Sequence, residues 1–255
     1  MHFADKMEKS VREKGSPIVL ALDFPFEKPE NRHILYQRAE RLLDAVHPYI
    51  CAVKINHHLI LPLGIFNGVS KLIEKAHEWN LPVIVDCKLN DIGSTNQVIA
   101  EYYYAAGFDA LIANPFIGWD QGLAPVFEVA KRAQKGVILL VYMSHKGADE
   151  GYGQRVIDPE TSTETFQYLL FAKKALKWGA DGAVVGATRP EKIKEVYAAV
   201  TGKVPIYSPG VGVQGGSIEA ALRAGASYLI VGRAITLSDE PAETAKKILD
   251  TAKKS

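Results

Sequence analysis

Short apolar runs rich in β-branched residues recur along the whole chain, at Ile18–Asp23, Ile50–Asn56, Val83–Lys88, Ala110–Asn114, Val137–Met143, Gly182–Gly186, Val204–Ser208 and Tyr228–Gly232. Most are continuously apolar rather than alternating, as parallel strands covered by helices must be. Between them lie helix-like stretches: His33–Val46, Ile65–Trp79, Asn96–Ala106, Thr163–Trp178 and Pro190–Val200. In the second of these, Ile65, Val69, Leu72, Ile73 and Ala76 fall on one face at helical spacing. Strand and helix alternating in this way predict an α/β fold, a (β/α)8 TIM barrel. A doubly wound open sheet is the structural alternative. No Pro/Gly/Ser-rich linker divides the chain, so residues 1–255 read as a single domain. Asp5 to Lys14 reads as an extra N-terminal helix placed to close the barrel bottom. The connection Ser144–Thr163 is long and contains several glycines, which in a compact domain points to a functional or mobile loop.

Several of the apolar strands end in charge, and in this fold the C-terminal strand ends open onto the active-site face. Ile18-Val-Leu-Ala-Leu runs into Asp23, Cys51-Ala-Val into Lys54, and Val83-Ile-Val into Asp86-Cys87-Lys88. Strand alternation turns Asp86 and Lys88 the same way, with Val85 and Cys87 facing the helices. Burying any of these charges alone is costly, so they must pair with one another or face a wet cavity. A salt-bridge network closing the barrel mouth would satisfy one such strand; three strands ending this way point to a site. Asp91 follows the strand and could cap the next helix. Carboxylates beside Lys88 favour its ammonium form, which suits a proton donor and electrostatic stabiliser rather than a Schiff-base amine.

A second signal lies at strands seven and eight. Ser208-Pro-Gly-Val-Gly-Val-Gln-Gly-Gly216 follows the seventh run, and Ile230-Val-Gly-Arg-Ala-Ile235 the eighth. TIM barrels often hold a phosphate between these loops, on backbone N–H groups and a helix start. Arg233 adds a planar fork of donors suited to phosphate oxygens. The glycines also allow the loop to close over a ligand.

Composition narrows the partners. A formal net charge of +1 argues against nucleic acid or an anionic membrane as the main partner, without excluding a small anion. Cys51 and Cys87 have the spacing of neither a zinc site nor a disulfide framework, and read as reduced, buried thiols of a cytoplasmic protein. The first fifteen residues lack the apolar core of a signal peptide, and no apolar stretch is long enough to span a membrane. His57 and His58 are adjacent on one element and have no carboxylate cluster to complete a metal site. Arg155 and Arg189 read as solvated, and Tyr102–Tyr104 as packing or interface.

These motifs together resemble the orotidine 5′-phosphate decarboxylase family. Asp86-Cys-Lys88-Leu-Asn-Asp91-Ile92-Gly93 fits the family's D-x-K-x-x-D-I-G. Pro209-Gly-Val with Gln214-Gly-Gly and Val231-Gly-Arg233 fit its phosphate loops, and Leu20-Ala-Leu-Asp23 and Val53-Lys54 its first two strand ends. The compact length is similar to the archaeal branch. The resemblance implies a metal- and cofactor-independent decarboxylase in which Lys88 protonates C6 of a pyrimidine nucleotide. Asp86 then lies near the departing carboxylate, and Lys54 holds the charged network together. Asp23 and Lys54 contact the ribose, Ser144 the pyrimidine, and Gln214 both base and phosphate. Pro209 belongs to the phosphate loop, and Gly232 with Arg233 binds phosphate oxygens. Asp91, Ile92 and Thr95 reach into the neighbouring subunit's site, so the resemblance also implies a homodimer. Magnesium-dependent sugar-phosphate decarboxylases share D-x-K-x-x-D, and such an enzyme or an epimerase on the same barrel stays open as an alternative. A catalytically inert phosphate-binding barrel is the other.

Overall fold

A computed structural model describes residues 1–212 and 214–255; Val213, within the glycine-rich loop, lies outside the described residues. The strands are β1 (Ile18–Ala21), β2 (Ala52–Ile55), β3 (Val83–Leu89), β4 (Ala110–Ala113), β5 (Gly136–Tyr142), β6 (Arg155–Ile157), β7 (Glu164–Phe166), β8 (Gly182–Val185), β9 (Ile206–Pro209) and β10 (Tyr228–Val231). All but β6 and β7 form a closed parallel barrel in the order β1-β10-β9-β8-β5-β4-β3-β2. Closure comes from β1, which pairs with β2 through Val19↔Ala52 and with β10 through Val19↔Ile230. An open doubly wound sheet is thereby excluded.

The strand pleat splits the core into two layers. Side chains such as Leu20, Val53, Val85 and Leu111 join the helices in the outer layer. Val19, Ile84, Ile112, Ile138, Leu140 and Ile230 fill the barrel interior. The lower end is plugged by the expected N-terminal helix, Phe3–Lys14, through the fully buried Phe3 and Met7. Gly15 stops that helix at φ +58°, donating its N–H to the Val11 carbonyl, a left-handed cap that glycine adopts without steric cost. At the base of β4, the buried Asp109 carboxylate joins Lys6 of this helix (2.6 Å), His77 (2.7 Å) and the Val83 amide (2.9 Å). Burial works against that carboxylate, but His77, Lys6 and Lys135 outweigh it and hold its pKa well below the usual range.

The segment after β5 departs from the expected loop. It contains a short helix, Ala148–Gly151, and the antiparallel hairpin β6–β7, with Val156 opposite Thr165. The next helix accordingly starts at Gln167 rather than Thr163. Three-residue strands that are mostly solvent-facing bury too little to leave a periodic signature. The segment is tied down by polar contacts. Asp149 bonds the Tyr142 hydroxyl and pairs with Arg189 (2.9 Å), and Lys173 reaches the buried Asp158 (2.5 Å). Arg189 is therefore ion-paired rather than simply solvated; Arg155 pairs with Glu164 across the hairpin (2.8 Å).

A Cβ on Gly136, at the start of β5, would overlap the Phe3 ring. Gly136→Ala should therefore lower unfolding free energy by about 1–3 kcal/mol, the usual cost of overpacking. The penalty should shrink when Phe3 is also replaced by alanine, because the two side chains are in contact. Urea melts of the four proteins in this cycle measure it, and equal penalties in both backgrounds would show that the helix does not plug the barrel.

Candidate active site

The charged strand ends meet at the upper mouth of the barrel. Asp86 accepts from Lys54 through one carboxylate oxygen (Nζ–Oδ2 2.8 Å) and from Lys88 through the other (Nζ–Oδ1 2.7 Å). Lys54 also lies 3.7 Å from Asp23. The side chain of Lys54 is only 5% exposed, whereas that of Lys88 is 39% exposed, so Lys54 is the buried anchor and Lys88 the accessible cation. Burial opposes charge on both inner members. For Lys54 that penalty is overcome by Asp86 and then Asp23, which raise its pKa above the ordinary value. For Asp86 it is overcome by Lys54 and Lys88, which hold the carboxyl down at about 2. Lys54 and Asp86 are thus both ionised at neutral pH.

Simple strand alternation does not produce this contact unaided. Lys88 has φ +48°, a left-handed conformation uncommon outside glycine, and the β3–β4 register shifts between Val85 and Leu89. The bulge re-aims the end of the strand, a device often found beside active sites. Cys87 lies between the two charged residues but packs into the outer layer, its thiol against the Ile112 carbonyl (3.5 Å). Burial pushes that thiol up to about 12, and the fully buried Cys51 thiol is raised further still, so both are unreactive hydrophobes at neutral pH.

Above the network opens a cavity of about 660 Å3, within the usual range for a small-molecule site. Asp23, Lys54, Asp86 and Lys88 line one side, and Ser144, Pro209, Gln214, Gly232 and Arg233 also line it. One Asp23 oxygen, Oδ1, is buried without a partner. Gly210, after β9, sits at φ +95°, and a Cβ there would meet both the Gln214 side chain and Ser144. Glycine is what lets this loop lie against the β5 end. On the neighbouring strand, the short helix Arg233–Thr236 begins directly after Gly232, leaving its first amides without intrahelical acceptors. Two glycine-flanked loops with an exposed arginine can hold an oxyanion, and the opposite side holds fixed cations.

Asp91, Ile92 and Thr95 do not line this cavity. Asp91 is exposed, and its N–H donates to the Asn96 side chain (3.0 Å). The N-cap of the helix Gly93–Ala105 is Ile92, so Asp91 does not fill the capping role that it could have taken. Sequence reasoning missed several lining residues: Phe24 and Pro25 after β1, Asn56 and His58 after β2, and Leu237. The apolar floor of Ile112, Leu140, Val184 and Ile230 was legible only as barrel interior. Among the described residues no group of three or more His, Cys, Asp or Glu is placed to hold a metal ion, and no helix is long and apolar enough to cross a membrane.

The model of the orotidine 5′-phosphate decarboxylase / HUMPS family matches residues 16–248. The chain belongs to this family. Among family relatives, the orotidine 5′-phosphate decarboxylase of Methanococcoides burtonii is 36% identical over 93% of this chain and 98% of its own length. A crystal structure of the Methanocaldococcus jannaschii orotidine 5′-monophosphate decarboxylase, complexed with the inhibitor BMP, superposes with a TM-score of 0.77. It is 32% identical, covering 93% of this chain and 98% of that one. The Leishmania donovani OMP decarboxylase structure gives a TM-score of 0.85 at 25% identity, over 100% of this chain and 98% of its own. Orotidine 5′-phosphate decarboxylase relatives thus match along the whole barrel, not at one motif.

Asp86→Asn would leave Lys54 buried without its main counter-charge, at a cost of about 3–5 kcal/mol in unfolding free energy. The sign of the pH dependence follows from the depressed carboxyl. Its stabilisation is complete above the ordinary value of 3.8 and is lost as pH falls toward about 2. The gap in stability between wild type and Asp86→Asn should therefore narrow over that window. Denaturant titrations at several pH values test this, and a gap independent of pH would show that Asp86 is not held ionised by its two lysines.

Proposed function

We propose that this chain decarboxylates orotidine 5′-monophosphate to uridine 5′-monophosphate, without metal or cofactor, using Lys88 to protonate C6. The observation that carries the reading is the ion network itself. A half-exposed lysine, locked onto a carboxylate by a second, buried lysine, lines the same cavity as the glycine loop and Arg233.

The chemistry asks for such a group. When the bond between C6 and the carboxyl carbon breaks, the electron pair stays on C6 in an orbital outside the ring's π system, where delocalisation helps little. A preorganised cation in a partly dry site is the remaining means of stabilising it. Lys88 supplies that charge, then passes a proton from Nζ to C6; carbon dioxide departs and the neutral amine regains a proton from solvent. Asp86 lies beside the departing carboxylate and keeps Lys88 aimed, while Lys54 keeps Asp86 ionised. Each oxygen of Asp86 bonds an ammonium group, so the carboxylate's charge is already balanced by two lysines.

Asp23 and Lys54 hold the ribose, consistent with the buried, unpartnered Asp23 oxygen. Ser144 contacts the pyrimidine and Gln214 joins base to phosphate. Pro209, Gly232 and Arg233 hold the phosphate, whose binding energy can order the loop over the reacting end. Asp91, Ile92 and Thr95 complete the site of a second subunit in a homodimer. Support comes from their position outside their own cavity and from the apolar side chains beside them: Ile92 is 61%, Val98 49% and Tyr102 57% exposed. Phe66 meets Tyr102 edge-on and is itself exposed. An uncovered apolar face of this kind fits a self-complementary interface.

Purified protein should consume orotidine 5′-monophosphate, followed by its ultraviolet absorbance, at the same rate with and without EDTA. Inactivity of folded protein would reject the reading, and loss on chelation would favour a magnesium-dependent relative. Lys88→Ala should lower kcat by more than about 1000-fold while UMP binding stays measurable; a near-normal rate would remove Lys88 from its role. Mixing inactive Asp91→Ala and Lys88→Ala subunits should restore part of the activity through hybrid dimers carrying one intact site. Verified subunit exchange without recovery would reject the shared site.

A further inference from the structure

We infer that Asn96 is a positioning residue for the neighbouring subunit's reaction: it holds the backbone of Asp91 where Asp91 can enter the partner's site. The inference rests on the decarboxylase reading with its shared site, and adds to it a buried residue that does not line the cavity.

Asn96 is fully buried one turn into the helix Gly93–Ala105, where asparagine is a poor helix former. A buried amide is tolerated only when its polar atoms are hydrogen-bonded. Here both ends of the side chain are spent on backbone. Its Oδ1 accepts the Asp91 N–H at 3.0 Å, and its Nδ2 donates to the Asp91 carbonyl. The same Nδ2 donates to the Gly122 carbonyl at 3.0 Å. Asn96 therefore grips the amide and the carbonyl of Asp91 together and ties them to the turn Trp119–Leu123. The helix start also rests on that turn directly: a Cβ on Gly93 would lie 2.9 Å from the Gln121 carbonyl oxygen.

The connection held in this way is short. Only Asn90, Asp91 and Ile92 separate β3 from the helix. Leu89, buried and paired with Ala113, fixes them on one side, and Asn96 fixes them on the other. Asp91 and Ile92 are nevertheless exposed, and the Asp91 carboxylate gives Oδ1 to the Ile92 N–H at 2.7 Å.

An aspartate on an exposed connection can serve a neighbouring site only if its backbone keeps its place, because a displacement of about 1 Å can cost about 100-fold in rate. The bulge at Lys88 aims that lysine at its own Asp86, and the Asn96 grip holds Asp91 for the partner. Loss of Asn96 should therefore injure the site to which its subunit lends Asp91 and spare the site containing its own Lys88. A residue needed only for folding would injure its own site as well.

Hybrid dimers, purified through two different affinity tags, separate these cases on orotidine 5′-monophosphate. The Asn96→Ala homodimer should lose about 10- to 100-fold in kcat/KM. Paired with Lys88→Ala, the Asn96→Ala subunit keeps the working lysine and receives Asp91 from an intact loop, so kcat/KM per working site should return to the wild-type value. Paired with Asp91→Ala, the working lysine receives the displaced Asp91, and the hybrid should stay as slow as the Asn96→Ala homodimer. A Lys88→Ala hybrid no faster than that homodimer, or a homodimer as fast as wild type, overturns the positioning role. Should Asn96→Ala fail to form folded dimers, Gly93→Ala, which pushes the helix start off the Gln121 carbonyl, decides by the same pairings. The Lys88→Ala and Asp91→Ala hybrid is the control: activity there without recovery for Asn96→Ala overturns the role of Asn96 alone. An inactive wild type rejects the decarboxylase reading, an inactive control hybrid rejects the shared site, and either takes this role with it.

Discussion

The grip of two lysines on one carboxylate is the constraint on which the upper half of this molecule depends. Lys54 is almost fully buried, and such a cation survives only with a counter-charge in contact. Asp86 provides it, which commits β2 and β3 to one relative height. The second oxygen of Asp86 remains available, and Lys88 takes it from the solvent side. The result is a cation whose position is set by a buried pair rather than by its own flexible stem. On the proposed chemistry this matters, because a charge that must reorganise during the reaction stabilises far less than one already in place.

The backbone gives up regularity to make that arrangement. Lys88 adopts a left-handed conformation where β3 slips against β4, and such a residue costs about 1–3 kcal/mol unless its surroundings hold it. They do so at both ends. Asp86 holds the ammonium, and Leu89, the residue after it, is buried in the outer layer and paired with Ala113. At the opposite end, left-handed non-glycine residues occur in the turns before the strands, at Asn80, Gln134 and Thr201, rather than within a strand. There Phe3, Met7 and the Asp109 cluster tie the N-terminal helix to the strand starts. Stability is concentrated at the bottom and chemistry at the top, the usual division in this fold.

Much of this was legible in the chain, for identifiable reasons. Continuous β-branched runs gave the eight barrel strands because their burial on both faces forbids polar interruption. Charge at the ends of those runs located Asp23, Lys54, Asp86 and Lys88 because only a paired or wet environment tolerates it. The small hairpin β6–β7 escaped because its side chains face mostly outward and carry no burial pattern. The bulge at Lys88 escaped because a lysine in a left-handed conformation has no sequence signature, unlike a glycine. His58 was visible but weighed only as a metal ligand. Its place at the cavity rim follows from Asn56 turning the chain into a helix, which a strand-only reading of β2 does not supply.

The circular order of the strands carries the last step. A barrel closes its ends into a ring, so residues far apart in sequence become neighbours: Arg233 after β10 lies next to Asp23 after β1, although more than two hundred residues separate them. The loop after β10, proposed to hold the phosphate, thereby sits one strand away from Asp23 and three from Lys88. On the proposed chemistry, binding energy gathered at the β9 and β10 loops is spatially separate from the reacting groups, and the substrate that spans β1 and β2 joins the two. On that reading Asp23 and Lys54, which lie between the two ends, convert a tight hold on one end of the substrate into correct placement of the other.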